Sequence, residues 1–431
     1  MNKFLFIVFL LFPFVMRAQQ LLTISDAIDT ALLNNFEIRI AKNVTEISKL
    51  NNSFGVAGGL PSINITANDN HTLYNLDQRL STGVDISKEG VTTNSFNTGL
   101  SASMVLFNGF KILATKEKLD LLQNQSELEL NLQIQNTIAA VMVTYYEIMR
   151  QQSYLNIIHS SIEVSKQKSD VIMELYNVGM ANEADLLQAE MDLTLSEQTL
   201  ISQQVVIDQE KINLQTLMGV KHFFSAIIKD TIVIDKTIRQ DSVLNFLENN
   251  PEYLSSAHQV KINEQIVKEL RAQRYPSLRV LTGYNFIYNS STAGFNLFTQ
   301  NYGPILGATM QIPIFNGTVY STQQRVANYN VRNAELQKES LLISLKADVV
   351  KTFQSYETVL KQIDVQRINY EHAGRLVAIV MERFRVNQTT LLEVKDAQAS
   401  FERAGYQLIN MLFSAKVAEI ELKRLTYRLG I

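Results

Sequence analysis

The feature that most constrains this chain is a long proline-free stretch that occurs twice. The first copy opens at Phe107-Asn108-Gly109, carries apolar residues at helical spacing and closes at Val178-Gly179. The second opens at Phe315-Asn316-Gly317 and closes at Val386-Asn387, at a constant offset of 208 residues. A continuous helix of about 70 residues would be about 100 Å long at roughly 1.5 Å per residue. A globular domain rarely encloses such a rod. Two of equal length in one chain imply a duplication and a role in which length itself matters.

The N-terminus is read apart from the fold. Lys3, the almost wholly apolar run Phe4 to Met16, and then Arg17-Ala18-Gln19 predict a secretory signal over residues 1–18, with Ala18 the last residue removed. Arg17 beside the cleavage point leaves an uncleaved anchor as the alternative. Beyond residue 20 no window holds 18 consecutive apolar residues, so no helical membrane span is expected. The chain has no cysteine, which excludes disulfides, thiol catalysis and a lipid-modified N-terminal cysteine. A net charge of -3 over 431 residues, without basic clusters, offers no footprint for nucleic acid. Hydrophobic content of 46% with six prolines predicts an ordered, mainly helical protein.

The mature chain opens on Leu22-Thr23-Ile24-Ser25-Asp26-Ala27-Ile28, where Thr23 or Ser25 can cap a helix and Asp26 and Asp29 favour its N-terminal dipole. That helix is expected to pause near Asn34-Asn35, resume from Ile38 to Leu50, and end before Leu60-Pro61. The same grammar returns 215 residues later, Asp241 matching Asp26, Asn249-Asn250 matching Asn34-Asn35, and Pro276-Ser277 matching Pro61-Ser62. The expected organisation is a first repeat over 19–219, a linker over 220–239 and a second repeat over 240–431.

After each proline the period changes to two. Ile63, Ile65 and Ala67 alternate with Asn64, Thr66 and Asn68, and Leu100, Ala102, Met104 and Leu106 with Ser101 and Ser103. In the second copy Val280, Tyr284 and Phe286 alternate with Arg279, Gly283 and Asn285, and Leu306, Ala308, Met310 and Ile312 with Gly307, Thr309 and Gln311. Four strands of about ten residues, one face greasy and one polar, with aromatic ends at Tyr74, Phe107, Tyr288 and Phe315, suit an outer-membrane barrel wall. A soluble sandwich fits the alternation as well. Four strands cannot close a barrel, and open edges are not tolerated in lipid, so the barrel reading requires an oligomer. The Asn-, Ser-, Thr- and Gly-rich segments between the strands read as long loops.

Along the second rod Val349, Phe353, Tyr356, Leu360, Ile363, Tyr370, Val377, Met381 and Phe384 fall at steps of three, four and seven, a coiled-coil seam. Ile134, Ile138, Val141, Tyr145, Ile148, Leu155 and Ile162 keep the same phase in the first, with Gln152 and His159 at seam positions. Each rod is expected to return as a second helix, Ala184 to Met218 and Leu391 to Leu429, so that each copy is a helical hairpin with a distal tip. Thr231 to Ile234 in the linker is a candidate strand.

Taken together, the opening Leu22 to Ile28 with Ala31 to Asn35, the strand entries Leu60-Pro61-Ser62 and Tyr275-Pro276-Ser277, the Phe-Asn-Gly turns and the two tips resemble the TolC-like outer-membrane efflux proteins, over residues 21–431 and in order. The resemblance implies a mainly α fold with membrane β. Duplicated long helical hairpins would form a periplasmic α-barrel, and four strands per protomer would join a shared trimeric twelve-stranded outer-membrane β-barrel. It implies a homotrimer in contact with outer-membrane lipid, extending into the periplasm. The implied partners are a periplasmic adaptor, or membrane fusion, protein and an inner-membrane pump of RND or ABC type. Phe36 stands where the family usually has proline and Asn387 where it often has glycine.

No enzyme constellation is present. His71, His159, His222, His258 and His372 show no paired metal spacing, no phosphate loop or nucleophile elbow occurs, and no cofactor or metal is expected. One acidic pair is well placed: Glu393 and Asp396, three residues apart on one face of the first turn after the second tip. The family has acidic constriction residues at these positions, so the resemblance implies rings of Glu393 and Asp396 gating a pore. Asp185, the counterpart of Glu393, would help to latch the tip. The competing reading is carboxylates answering a helix dipole. Thr389 replaces the tip arginine of some members. Val178, Gly179, Val386 and Asn387 are the implied adaptor contacts, or merely helix terminators. The function implied is a passive conduit of a tripartite export system. The rivals are a type I protein-secretion conduit and a non-pore periplasmic coiled-coil scaffold.

Overall fold

The computed structural model describes residues 20–429; the signal segment expected at 1–18 lies outside the described residues. In chain order the elements are β1 (Gln20–Leu21), α1 (Ile24–Asn34), α2 (Phe36–Asn51), β2 (Ser62–Arg79), β3 (Asp85–Asn108), α3 (Lys111–Asn177), α4 (Glu183–Leu217), β4 (Ala226–Ile227), α5 (Gln240–Phe246), α6 (Pro251–Ala272), β5 (Ser277–Ser291), β6 (Phe298–Gln311), α7 (Val319–Arg385) and α8 (Leu391–Leu425), with one turn of 3-10 helix at Leu247–Asn249. Two compact units arise. One comprises residues 20–42, Leu130–Pro251 and 342–429, the other Asn43–Glu129 with Glu252–Leu341.

The two copies match element by element in their helices. The long helices α3 and α7 have 67 residues each and the return helices α4 and α8 have 35 each. Each rod starts after two successive left-handed residues, Gly109-Phe110 at φ 69° and 68° and Gly317-Thr318 at φ 66° and 68°. Gly109 is required twice over, because a Cβ there would also lie 2.6 Å from the Ala272 carbonyl oxygen. The pause expected at Asn35 is a single extended residue that breaks the helix and then serves both sides of the break. Its side-chain N–H donates to the Leu217 carbonyl at 2.7 Å, and its counterpart Asn250 donates to the Leu425 carbonyl at 2.9 Å. Ahead of it, Thr23 and Asp26 form a reciprocal capping box.

In the unit that holds most of the helical hairpins, the seam is the core. Ile138, Val141, Tyr145 and Ile148 pack against Leu22, Ala27, Ala31, Ile207, Leu214 and Ile420, and the Tyr145 hydroxyl donates to the Leu22 carbonyl at 3.2 Å. A second cluster, Ile172, Ala189, Val377, Met381, Phe384, Val394 and Ala397, lies near the tips. Between them the seam departs from expectation. His159 is exposed, the expected Ile162 is buried, and Ile158, Ser161, Ser165 and Lys168 are buried beside it. A step of three rather than four, from Leu155 to the buried Ile158, carries the phase past the histidine. The strand expected at Thr231 to Ile234 is also absent; the linker strand is β4, which pairs in parallel with β1. The later segment is instead held by side chains: Lys416 donates to the Val233 carbonyl at 2.8 Å, the Asp235 N–H donates to Glu419 at 2.9 Å, and the Tyr356 hydroxyl donates to the Asp235 carbonyl. Alternation made this segment look like a strand, but no neighbouring strand edge is paired with it.

The other unit carries one antiparallel sheet of order β2-β3-β5-β6. Residues opposed in an antiparallel ladder share a face. Ile65, Leu100, Tyr284 and Pro304 form one row, Ile63, Ala102, Thr282 and Leu306 the next, and Ala67, Thr98, Phe286 and Tyr302 a third. Behind them lie rows such as Thr66, Gly99, Asn285 and Gly303. Pro304, which has no N–H to give, fits only an edge strand. A bulge at Leu106 takes that residue out of the alternation, so Phe107 rather than Leu106 continues the apolar face. The strands are longer than the ten residues expected, and the first hairpin contains no long loop. Its ladder runs on to Arg79 and Asp85, which form an ion pair at 2.6 Å, and only Leu80–Val84 turns the chain. The polar composition there reflects exposure of both faces rather than irregular backbone.

Candidate functional site: the sheet wall and the hairpin tips

The apolar face of the sheet is uncovered within the protomer, with Ile65 77% and Leu306 86% exposed. Aromatic side chains bound it at both ends. Phe96 meets Phe286 edge-on at 6.4 Å and Tyr288 meets Phe298 at 5.4 Å; at the other end Phe107 meets Phe110 at 5.3 Å. From Phe96 to Phe107, leaving out the bulged Leu106, the strand covers about 33 Å at roughly 3.3 Å per residue. At a barrel tilt of about 40° that is about 25 Å along a membrane normal, the height of an outer-membrane apolar band. No described helix is long and apolar enough to cross a membrane.

Both hairpin tips are built alike. At the first, Gly179 (φ 76°) receives the helix end: its N–H donates to the Tyr176 carbonyl at 3.0 Å and the Met180 N–H to the Leu175 carbonyl at 2.8 Å. At the second, Asn387 (φ 56°) donates to Phe384 at 3.0 Å and Gln388 to Arg383 at 2.8 Å. This is the Schellman arrangement, which needs a left-handed residue and accepts asparagine in place of glycine. The return helices are then capped by Asn182, whose side chain accepts from the Asp185 N–H at 2.8 Å, and by Thr390, which accepts from the Glu393 N–H at 3.3 Å.

Asp185 and Glu393 therefore occupy the same third helical position, where a carboxylate answers the helix dipole. Glu393 also accepts the Thr389 hydroxyl. Capping accounts for these two acids but not for Asp396, exposed a turn further on. Asp185 and Asn387 line a cavity of about 590 Å³ between the two turns, together with Phe384, Thr390 and Lys395. Val178 lines a separate cleft of about 520 Å³ with Arg385 and Glu174. Val386, Gly179, Glu393 and Asp396 line neither, and Val386 is exposed.

Sequence reasoning missed the charges just behind the tips. Lys168 of α3 is 1% exposed and its ammonium donates to Asp192 of α4 at 2.8 Å. The other Asp192 oxygen accepts from Lys395 of α8 at 3.1 Å and from Gln188 at 2.9 Å. One carboxylate thus joins the first hairpin to the second. Burial pushes the Asp192 carboxyl up, but the bonds from Lys168, Lys395 and Gln188 outweigh it and hold it below the usual carboxylate range. Next to this pair, Gln398 of α8 donates to Ser161 at 2.6 Å and to Ser165 at 2.9 Å. A polar residue at a seam position, Ser161, Ser165 and Lys168 in turn, was the available signal. Among the described residues no group of three His, Asp or Glu side chains could hold a metal.

The sequence pattern of the family described as outer membrane efflux protein matches residues 27–220 and 244–426. The chain belongs to this family. It is 20% identical over 356 residues to the outer membrane protein TolC of Salmonella enteritidis, covering 79% of this chain and 70% of that protein. It is 20% identical over 406 residues to the probable outer membrane lipoprotein SilC of Salmonella typhimurium, 93% of this chain and 84% of that one. Among solved structures it resembles the CmeC outer membrane channel of Campylobacter jejuni with a TM-score of 0.76 at 17% identity, over 95% of this chain and 86% of that one. The VceC outer membrane protein of Vibrio cholerae gives 0.73 at 17% identity, over 94% and 95%. As a family member the protein is an outer-membrane efflux protein. Membership sets aside the soluble sandwich and the periplasmic scaffold.

Proposed function

We propose that this efflux protein is a passive trimeric conduit, opened at its hairpin tips when a periplasmic adaptor and an inner-membrane pump engage it. The observation that carries the reading is the sheet: four strands with two free edges, one apolar face bounded by aromatic rows and one polar face. A sheet with open edges cannot remain in lipid, and three copies give the twelve strands of a closed barrel. The apolar face then meets lipid and the polar face water.

In this reading Glu393 and Asp396 recur three times around the axis as two acidic rings, a device that favours cations and narrows a mouth. Asp185 and the Asp192–Lys395 link hold the two hairpins together at rest, and the exposed turns at Val178, Gly179, Val386 and Asn387 receive the adaptor. The test is single-channel recording of the full chain in planar bilayers. Glu393→Ala with Asp396→Ala should raise conductance and weaken block by trivalent cations; traces indistinguishable from wild type would remove the gate assignment.

A further inference from the structure

Below the β2–β3 extension that holds Asp77, Arg79, Asp85 and Lys88, the polar face of the sheet carries one formal charge. Over Ser62–Thr72, Thr93–Asn108, Ser277–Ser291 and Phe298–Gln311 the only ionised side chains are Asp69 and Arg279, and the ladder puts them on opposite faces: Asp69 shares a row with Phe96 and Tyr288, and Arg279, just beyond the start of β2, shares one with Val105 and Thr309. Every other position on Arg279's face is small, amide, hydroxyl or apolar. Arg279 is exposed and, among the described residues, its guanidinium has no hydrogen bond, ion pair or ring partner.

It also borders a cavity of about 260 Å³ where the strands give way to helices, lined by Asn108, Lys111, Gln273, Tyr275 and Tyr320 among others and by no acidic residue. Lys111, the first residue of α3, has a free ammonium as well. The acids nearest in sequence are committed elsewhere: Asp120 to Lys116, Glu269 to Lys118 and Glu117 to Lys268. Two unpaired cations, amides and phenols around one hollow form a receptor for anionic oxygens.

We infer that Arg279, supported by Lys111, forms an anion-binding ring in the channel wall where the barrel meets the helices, and that it selects solutes bearing carboxylate or phosphate groups. The inference rests on the conduit reading, which makes the polar face luminal and repeats the site three times. The neighbouring positions on that face, among them Ser277, Leu281, Gly283, Val105 and Thr309, offer no competing charge, so in that reading the three arginines set the potential within a Debye length of the wall, about 8 Å at physiological salt.

The test uses the full-length protein in planar bilayers under a tenfold KCl gradient, with inorganic triphosphate as the probe. Triphosphate should reduce the wild-type current. Arg279→Gln should weaken that block about threefold and move the zero-current potential toward cation selectivity, and the double variant with Lys111→Gln should lose the block. Channels of Arg279→Gln with wild-type block and zero-current potential overturn the inference and leave the conduit intact. A wild-type protein that forms no channels overturns both.

Discussion

Replacing Asp192 by asparagine isolates the charge arrangement behind the tips. Lys168 is 1% exposed, and among the described residues Asp192 is its only anionic partner, at 2.8 Å. Asparagine keeps the shape and leaves a buried ammonium uncompensated, which costs roughly 3–5 kcal/mol. Removing the other end of the link is far milder: the Lys395 side chain is 52% exposed, and an exposed ion pair contributes about 0.2–1 kcal/mol. Replacing the whole buried pair, Lys168→Met with Asp192→Leu, should be neutral within about 1 kcal/mol, because the desolvation cost disappears with the attraction. Hydrogen exchange read by mass spectrometry over residues 161–175 and 185–196 measures these local openings directly. Asp192→Asn should accelerate exchange there by about 100-fold or more at neutral pH, and Lys395→Met by about fivefold at most, since 1.4 kcal/mol is a factor of ten. Equal acceleration in the two variants would refute the claim that the buried lysine, rather than the cross-hairpin bridge, is the costly partner.

Two further outcomes follow from the turns and the linker. Gly179→Val should destabilise the first tip by about 1–2 kcal/mol, because φ is 76° there, whereas Asn387→Gly should be neutral or slightly stabilising; limited proteolysis at the tips reads both. At the linker, hydrogen bonds from the Thr237 side chain and backbone, and then the Lys423 ion pair, depress the Asp235 carboxyl to about 2. A depressed carboxylate contributes stability that is complete above its unfolded value of about 3.9 and is lost as pH falls through the folded one. Protection factors over residues 228–237, exchange rates divided by the intrinsic rate at each pH, should therefore be unchanged from pH 7 to about 5 and fall between about pH 4 and pH 2, and a fall already present at pH 6 would contradict this.

Much of this molecule is legible in its sequence because its regularities are one-dimensional. Helix period, strand period, the left-handed turn residues and the offsets between copies are properties of neighbours along the chain, and they determine two 67-residue helices, their 35-residue returns and a four-stranded sheet with one apolar face. The reading of loops in the first hairpin failed for a related reason. Polarity along the chain reports exposure, and only pairing with a partner strand decides whether an exposed segment is ordered.

What tertiary structure alone decided are the contacts whose partners are distant in sequence. Thr231 to Ile234 alternates like a strand, yet it is fastened by Tyr356, Lys416 and Glu419 from helices more than a hundred residues away. Nothing local marks Lys168 as buried; the packing of α3 on α4 and α8 places it against Asp192. Arg279 was one charged position in an alternating strand, and it stood out as the one charge on its face below the hairpin extension only when the ladder assigned every neighbour to a face. The rods needed only their own residues. The site needed to know what lies beside them, because burial and charge pairing are properties of neighbours in space.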